Sequence, residues 1–450
     1  MLYSILDYGA IPDGRTNCAP AIQAAVDACA RAGGGTVVVP SGRYYSGSIL
    51  LKSHVELHLE TGAVLLSSLS EQEIQSFPPA PGERPIDGWN GGFFLGARDG
   101  EDIRITGGGV IDGQGDRVFS DADVDQGFHE CPLRCAPFRP RLALFENIQG
   151  LEISGVTLKD AAFWTLHLAG CRRVRIHDMQ ILNNDRGANN DGIDPDCCQD
   201  VVISNCLVST GDDAIVLKST APMAKRYGPC ENVTISGCVL HSRDSALKIG
   251  TETHGTIRRV ILADSVIRDC SRAVGIWVRD GGTVENIMAH HLTGSVRRYA
   301  DAYALPGAPG WWGKGEPLFV SATFRKDSTL PSPGAIRGLS FSHIHLDCES
   351  SLFLGGEKES VIQDVRLREI HLRFVRQGTQ PGGLFDEQPS ARHVYPHPIP
   401  ALYARWVKGL SLRDSTVRFT GEGEAWSGAL TQTEHCADGD ILWDSKKDQP

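Results

Sequence analysis

The chain of 450 residues has few aromatics, 7% of its positions, and only 4 methionines. So little large-ring material argues against one thick core and suits many thin packing units. No apolar run reaches the ~20 residues of a membrane-spanning helix. The first residues, Met1-Leu2-Tyr3-Ser4, show neither the basic segment nor the apolar core of a secretory signal. A basic excess is missing too. The 44 Lys and Arg face 55 Asp and Glu, a net charge of −11, which argues against nucleic acid or an anionic membrane as partner. The 13 cysteines are odd in number, and most lie in apolar runs, as Cys206 and Cys238 do, where a free thiol behaves as a small hydrophobe. The expectation is a reducing, cytoplasmic setting; homo-oligomerisation stays open.

Glycine is abundant, 50 residues against a usual share of ~7%, and a repeat accounts for it. One apolar spacing recurs at Leu151/Ile153/Val156/Leu158, Val174/Ile176/Met179/Ile181 and Val201/Ile203/Cys206/Val208. It returns at Val233/Ile235/Cys238/Leu240 and Val260/Leu262/Ser265/Ile267, with weaker copies from Ile103, Ile287, Leu339, Val365 and Leu410. Short strands at this interval, separated by Gly/Asn/Asp turns too brief for helices, predict an all-β chain wound as a right-handed parallel β-helix. One such domain is expected over 1–450, with the cap and first strands in 1–60 and coils over 100–420. Gaps wider than one coil place insertions near 112–150, 295–335 and 376–405. A capping helix is expected where Pro20 precedes Ile22, Ala25, Val26 and Cys29 on one face, ended by Gly33-Gly34-Gly35.

Four segments align on one strand: Gly192–Asp196, Ala214–Lys218, Ala246–Gly250 and Gly275–Arg279. Ile193, Ile215, Leu247 and Ile276 then share an inward column, as do Pro195, Leu217, Ile249 and Val278. Alternation turns Asp194, Asp196, Val216, Lys218, Lys248, Trp277 and Arg279 outward on rungs ~4.8 Å apart. Just before that strand, Asp191, Asp213 and Ser245 form one column, and Asn190, Asp212 and Asp244 another. Asp191, Asp212 and Asp213 must therefore cluster, and mutual repulsion should keep a proton on one of them near neutrality. A protonated carboxyl beside an ionised one is what acid–base cleavage of a glycosidic bond needs.

At these residues the chain resembles glycoside hydrolase family 28, the polygalacturonases and rhamnogalacturonan hydrolases. Asn189-Asn190-Asp191-Gly192 and Gly211-Asp212-Asp213 are similar to that family's Asn-Thr-Asp-Gly and Gly-Asp-Asp motifs. Asp7-Tyr8-Gly9-Ala10, Asp13-Gly14, Gly33-Gly34-Gly35-Thr36-Val37 and Trp164-Thr165-Leu166-His167 resemble it further. The resemblance spans roughly residues 5–290 and implies the pectate-lyase-like solenoid. It implies Asp212 as general acid, with Asp191 and Asp213 positioning and deprotonating a water held between acid and base, so that the anomeric centre inverts. No metal or other cofactor is implied. The family's histidine position holds Ser245, and its Arg-Ile-Lys positions hold Trp277-Val278-Arg279. A uronate carboxylate would be met by Arg279 or Lys248, with Lys218 nearby, and Trp277 would stack on a sugar face. Asn189, His167 and Trp164 join the substrate-binding candidates, Trp164 equally as core; Glu252 and His254 are placed at a rim.

The expectation is an inverting, exo-acting hydrolase of galacturonate- or rhamnogalacturonan-containing oligosaccharides. Two alternatives use the same fold. One is a Ca²⁺-dependent lyase, with Lys248 or Arg279 as base. Asp194, Asp196 and Asp200 are oxygen ligands of the kind Ca²⁺ takes, but Lys218 and Arg279 in the aligned column argue against an ion there. The other is a non-catalytic carbohydrate-binding β-helix.

Overall fold

The computed structural model describes residues 1–78, 92–120, 133–299, 315–377, 397–420 and 429–444, together with the short strand Leu384–Phe385. Among these the chain winds as a parallel β-helix with one sheet of 21 strands and another of 12. No helix of the described residues is long and apolar enough to cross a membrane.

The apolar repeat is the core-facing side of the larger sheet. Ile153 sits beside Ile105 and Ile176, and the column continues through Ile203, Ile235, Leu262, Ala289, Phe341, Leu367 and Leu412. Each is buried. Stacking of like branched chains fills a thin core with little aromatic volume. Each coil also needs a corner, and the corner residue is left-handed: Gly155, Asp178, Asn205, Gly237, Asp264 and His291 have φ of 75°, 53°, 54°, 64°, 49° and 53°. That backbone is open to Gly and tolerated by Asn and Asp, so the turns draw on the residues this chain has in excess.

The capping helix runs Ala19–Arg31 with Pro at its first turn, and Ile22, Ala25, Val26 and Cys29 are buried on its inner face. It stops before Gly34, where a Cβ would press against the His54 carbonyl at 2.5 Å. A second helix, Ala221–Tyr227, was not expected from the sequence. It follows the strand Ile215–Ser219 and packs Met223 against Ala169 and Cys197. The insertion expected near 112–150 contributes a small antiparallel ribbon, Phe119–Ser120 with Arg134–Cys135. Much of the insertions near 295–335 and 376–405 lies outside the described residues.

The 12-stranded sheet carries the aligned segments. Its rungs follow chain order from Ile49–Leu50 to Thr431–Glu434, all parallel. Ile193 pairs with Ile215 and Ile215 with Leu247, as expected. The fourth segment is displaced: Leu247 pairs with Val274, Lys248 with Gly275 and Ile249 with Ile276. The sequence alignment was two residues off there. A two-residue slip keeps every side chain on its face, so alternation alone cannot detect it.

Candidate active site

Asp191 and Asp213 lie on successive rungs, since the Gly192 amide donates to the Asp213 carbonyl at 2.9 Å. Asp212 reaches the same place because Asn190 shapes its turn. The Asn190 side-chain oxygen accepts the Gly211 and Asp212 amides at 2.9 and 3.1 Å. The Asp212 carboxylate accepts the Asn189 amide at 3.1 Å and the Asp213 amide at 3.0 Å. One oxygen from each of the three carboxyls lies within 4.8 Å of the other two. All three residues are buried.

Two lysines flank the cluster. The Lys248 ammonium donates to Asp213 Oδ2 at 2.8 Å and lies 3.3 Å from Asp244 Oδ2. The Lys218 ammonium lies 3.7 Å from Asp191 Oδ2, 3.7 Å from Asp194 Oδ1 and 3.5 Å from Glu252 Oε2. Burial, then the charges of Asp212 and Asp194, push the Asp191 carboxyl well above its usual range. Burial raises Asp213 to about 8, helped by Asp244 and Asp212 and opposed by Lys248. Asp194 rises to about 7 through burial, against the pull of Lys218 and Arg141. Burial works against the charge on both lysines, and the surrounding carboxylates outweigh it, so both stay protonated. The cluster thus keeps at least one proton near neutrality, which an acid–base pair requires.

The expected room for a water between acid and base is not present. A separation within 4.8 Å is closer than the ~6.5–9.5 Å usual for an inverting pair.

The remaining candidates fall into distinct places. Trp164 is partly exposed, with the Lys218 ammonium 4.5 Å from its ring centre and the Arg141 guanidinium 4.9 Å away. His167 is fully buried; Arg141 Nε donates to its Nδ1 at 3.1 Å, and Asp196 Oδ2 lies 3.7 Å from its Nε2. Burial lowers its pKa to about 4, so a neutral ring lies under the site instead of contacting substrate. Asn189 positions Asp212 and accepts a bond from Arg139 at 3.1 Å. The Ser245 amide donates to Asp213 Oδ1 at 3.2 Å. Arg279 is buried one residue before Asp280. Trp277 is outward by alternation yet fully buried, its ring 5.0 Å from Phe319 with Arg272 and Lys248 against it. It offers no sugar platform here; the partly exposed ring at the cluster is Trp164. Beyond Trp277 the same outer face becomes an aromatic ladder, Phe319, Phe353 and Tyr403, stacked at 4.8 and 5.5 Å.

Sequence reasoning missed Arg141, Arg272 and the Asn190 scaffold. Arg272 follows Ser245 in the Asp191/Asp213 column and bonds Asp244 at 2.6 Å; the correct register would have shown it. Asp194, Asp196 and Asp200 do not converge as ion ligands. Asp196 instead accepts the Thr220 amide and hydroxyl at 2.9 and 2.6 Å. Among the described residues, the clusters tight enough for a metal are Asp191/Asp212/Asp213 and Asp264/His290/His291.

A parallel β-helix with a part-protonated carboxylate cluster on its outer face defines a carbohydrate-active class of protein. The comparisons name the family. A model described as glycosyl hydrolases family 28 matches residues 36–288, and one described as rhamnogalacturonase A/epimerase, pectate lyase-like, matches residues 2–59. The chain belongs to glycosyl hydrolases family 28. A probable polygalacturonase of Vitis vinifera is 31% identical over 312 residues, 66% of this chain and 61% of that one. An exo-poly-alpha-D-galacturonosidase of Dickeya chrysanthemi is 25% identical over 308 residues, 59% of this chain and 50% of that one. The chain thus spans about half to three-fifths of the length of these curated relatives. A family 28 exopolygalacturonase of Yersinia enterocolitica superposes with TM-score 0.74 at 18% identity, covering 99% of this chain and 79% of that one. The shared fold is the right-handed parallel β-helix.

Proposed function

We propose that the protein is an inverting, exo-acting hydrolase of pectin-type oligosaccharides. The observation that carries this reading is the three-carboxyl cluster, protonated in part and flanked by two lysines. The three carboxyls share the proton the cluster keeps. With it on Asp212, ionised Asp191 and Asp213 hold a water, and one of them takes its proton as its oxygen attacks the anomeric carbon. The glycosidic C–O bond breaks, and Asp212 gives its proton to the leaving oxygen. Trp164, partly exposed beside the cluster, is the aromatic side chain placed to touch the sugar. Exo action draws support from the Dickeya relative, whose name describes an exo-enzyme.

The test is a panel of galacturonate and rhamnogalacturonan oligosaccharides, assayed for new reducing ends and followed by proton NMR. Release of single units from one end, with the opposite anomer formed first, is the expected outcome. Asp212→Asn should lower kcat by about 10²–10⁴-fold, the usual worth of a general acid, and leave oligosaccharide binding intact. Wild-type turnover by that variant, or an unsaturated product absorbing in the ultraviolet, would overturn the assignment.

A further inference from the structure

At the Lys218 end of the cluster the partly exposed group is a carboxylate, not an ammonium. Of the four groups gathered there, the side chains of Asp194, Asp191 and Lys218 are 0%, 4% and 6% exposed, while Glu252 is 34% exposed. Lys218 is thus buried among three carboxyl groups, with the Trp164 ring also against it. Arg325, the next cation, is committed to Asp280 through bonds of 2.6 and 3.0 Å and to the Thr251 carbonyl at 3.1 Å. Burial pushes the Glu252 carboxyl up, but Lys218, Arg325 and Lys248 outweigh it and bring its pKa down to about 2. Glu252 is therefore charged at any working pH.

An ionised carboxylate accepts hydrogen bonds from sugar hydroxyls and repels a like charge brought within a few ångströms. We propose that Glu252 is a specificity residue that selects an uncharged sugar, such as a deoxyhexose or an esterified uronate, for the position beside Asp191 and Lys218. The proposal rests on the pectin-hydrolase reading for its substrate class and adds which position must be neutral.

The experiment compares binding of trigalacturonate and its methyl ester by calorimetry in wild type, Glu252→Gln and Glu252→Asp. Glu252→Gln is nearly isosteric, and thermal unfolding checks that it folds. Expected is a gain of about tenfold in trigalacturonate affinity relative to the ester in Glu252→Gln, because the like charge facing the uronate is removed. Glu252→Asp keeps the charge and should keep the wild-type ratio. An unchanged ratio in Glu252→Gln overturns the proposal, as does failure of wild type to bind either probe. The same probes assayed for cleavage separate the two readings. A shifted ratio with no hydrolysis of any oligosaccharide of the galacturonate and rhamnogalacturonan panel sinks the hydrolase and leaves the selectivity standing, and hydrolysis with an unshifted ratio does the reverse.

Discussion

Lys248 shows how one side chain sets the chemistry of another. Its ammonium, 2.8 Å from Asp213, opposes the burial that lifts that carboxyl to about 8. Removing the charge must raise the Asp213 pKa further, so a reaction needing ionised Asp213 loses activity at a higher pH than before. In Lys248→Met the acid limb of kcat/KM should move up by at least about one unit, 1.4 kcal/mol of lost interaction, whereas Lys248→Arg should hold it nearly in place. A pH–rate profile of both variants is the check. Lys248 was visible from the sequence as an outward cation in the aligned strand. Its service to Asp213 was not, because strand alternation gives a face and not the direction in which a long side chain bends. Trp277 teaches the same lesson: its outward parity was legible and its burial under Phe319 and Arg272 was not.

At the scale of elements, the strand Ile193–Asp196 serves two ends. Asp194 faces Lys218, while Asp196 binds Thr220 and so fixes the entry to the helix Ala221–Tyr227. Seven residues are too few for a helix to persist unaided, so tertiary ties hold it: the Thr220 bonds, buried Met223, and the 2.7 Å pair between Arg226 and Glu146. Asp196→Ala should loosen it, and trypsin should then cut after Lys225 or Arg226 several times faster than in wild type, as read by mass spectrometry of timed digests. This helix escaped the sequence reading because it is shorter than two full turns of apolar periodicity. The capping helix Ala19–Arg31, with four buried positions on one face, did not. The strand register was legible where each coil keeps the same internal apolar spacing, as from Leu151 to Val260, and slipped by two at Gly275.

Across the whole molecule, the raised carboxyls make stability depend on pH. Asp194 and Asp213 titrate near 7 and 8 when folded but near 4 when unfolded, so the folded state holds more protons in between. Their contribution is complete at low pH and lost as pH rises through those folded values. His167, depressed to about 4, opposes them only below its unfolded pKa of ~6.5. Between pH 6.5 and 8 His167 no longer opposes the carboxyls, and the urea midpoint should fall with rising pH, less steeply in Asp194→Asn. Equilibrium unfolding at several pH values measures it. The fold as a whole was the most legible feature, since one repeated column from Ile105 to Leu412 settles a solenoid. The strictly sequential order of rungs on the 12-stranded sheet carries a last consequence for biosynthesis. Each new strand docks on the one made just before it, so a chain leaving the ribosome can fold as it lengthens. The carboxylate cluster and both flanking lysines would be in place while the strands after Arg279 were still being translated.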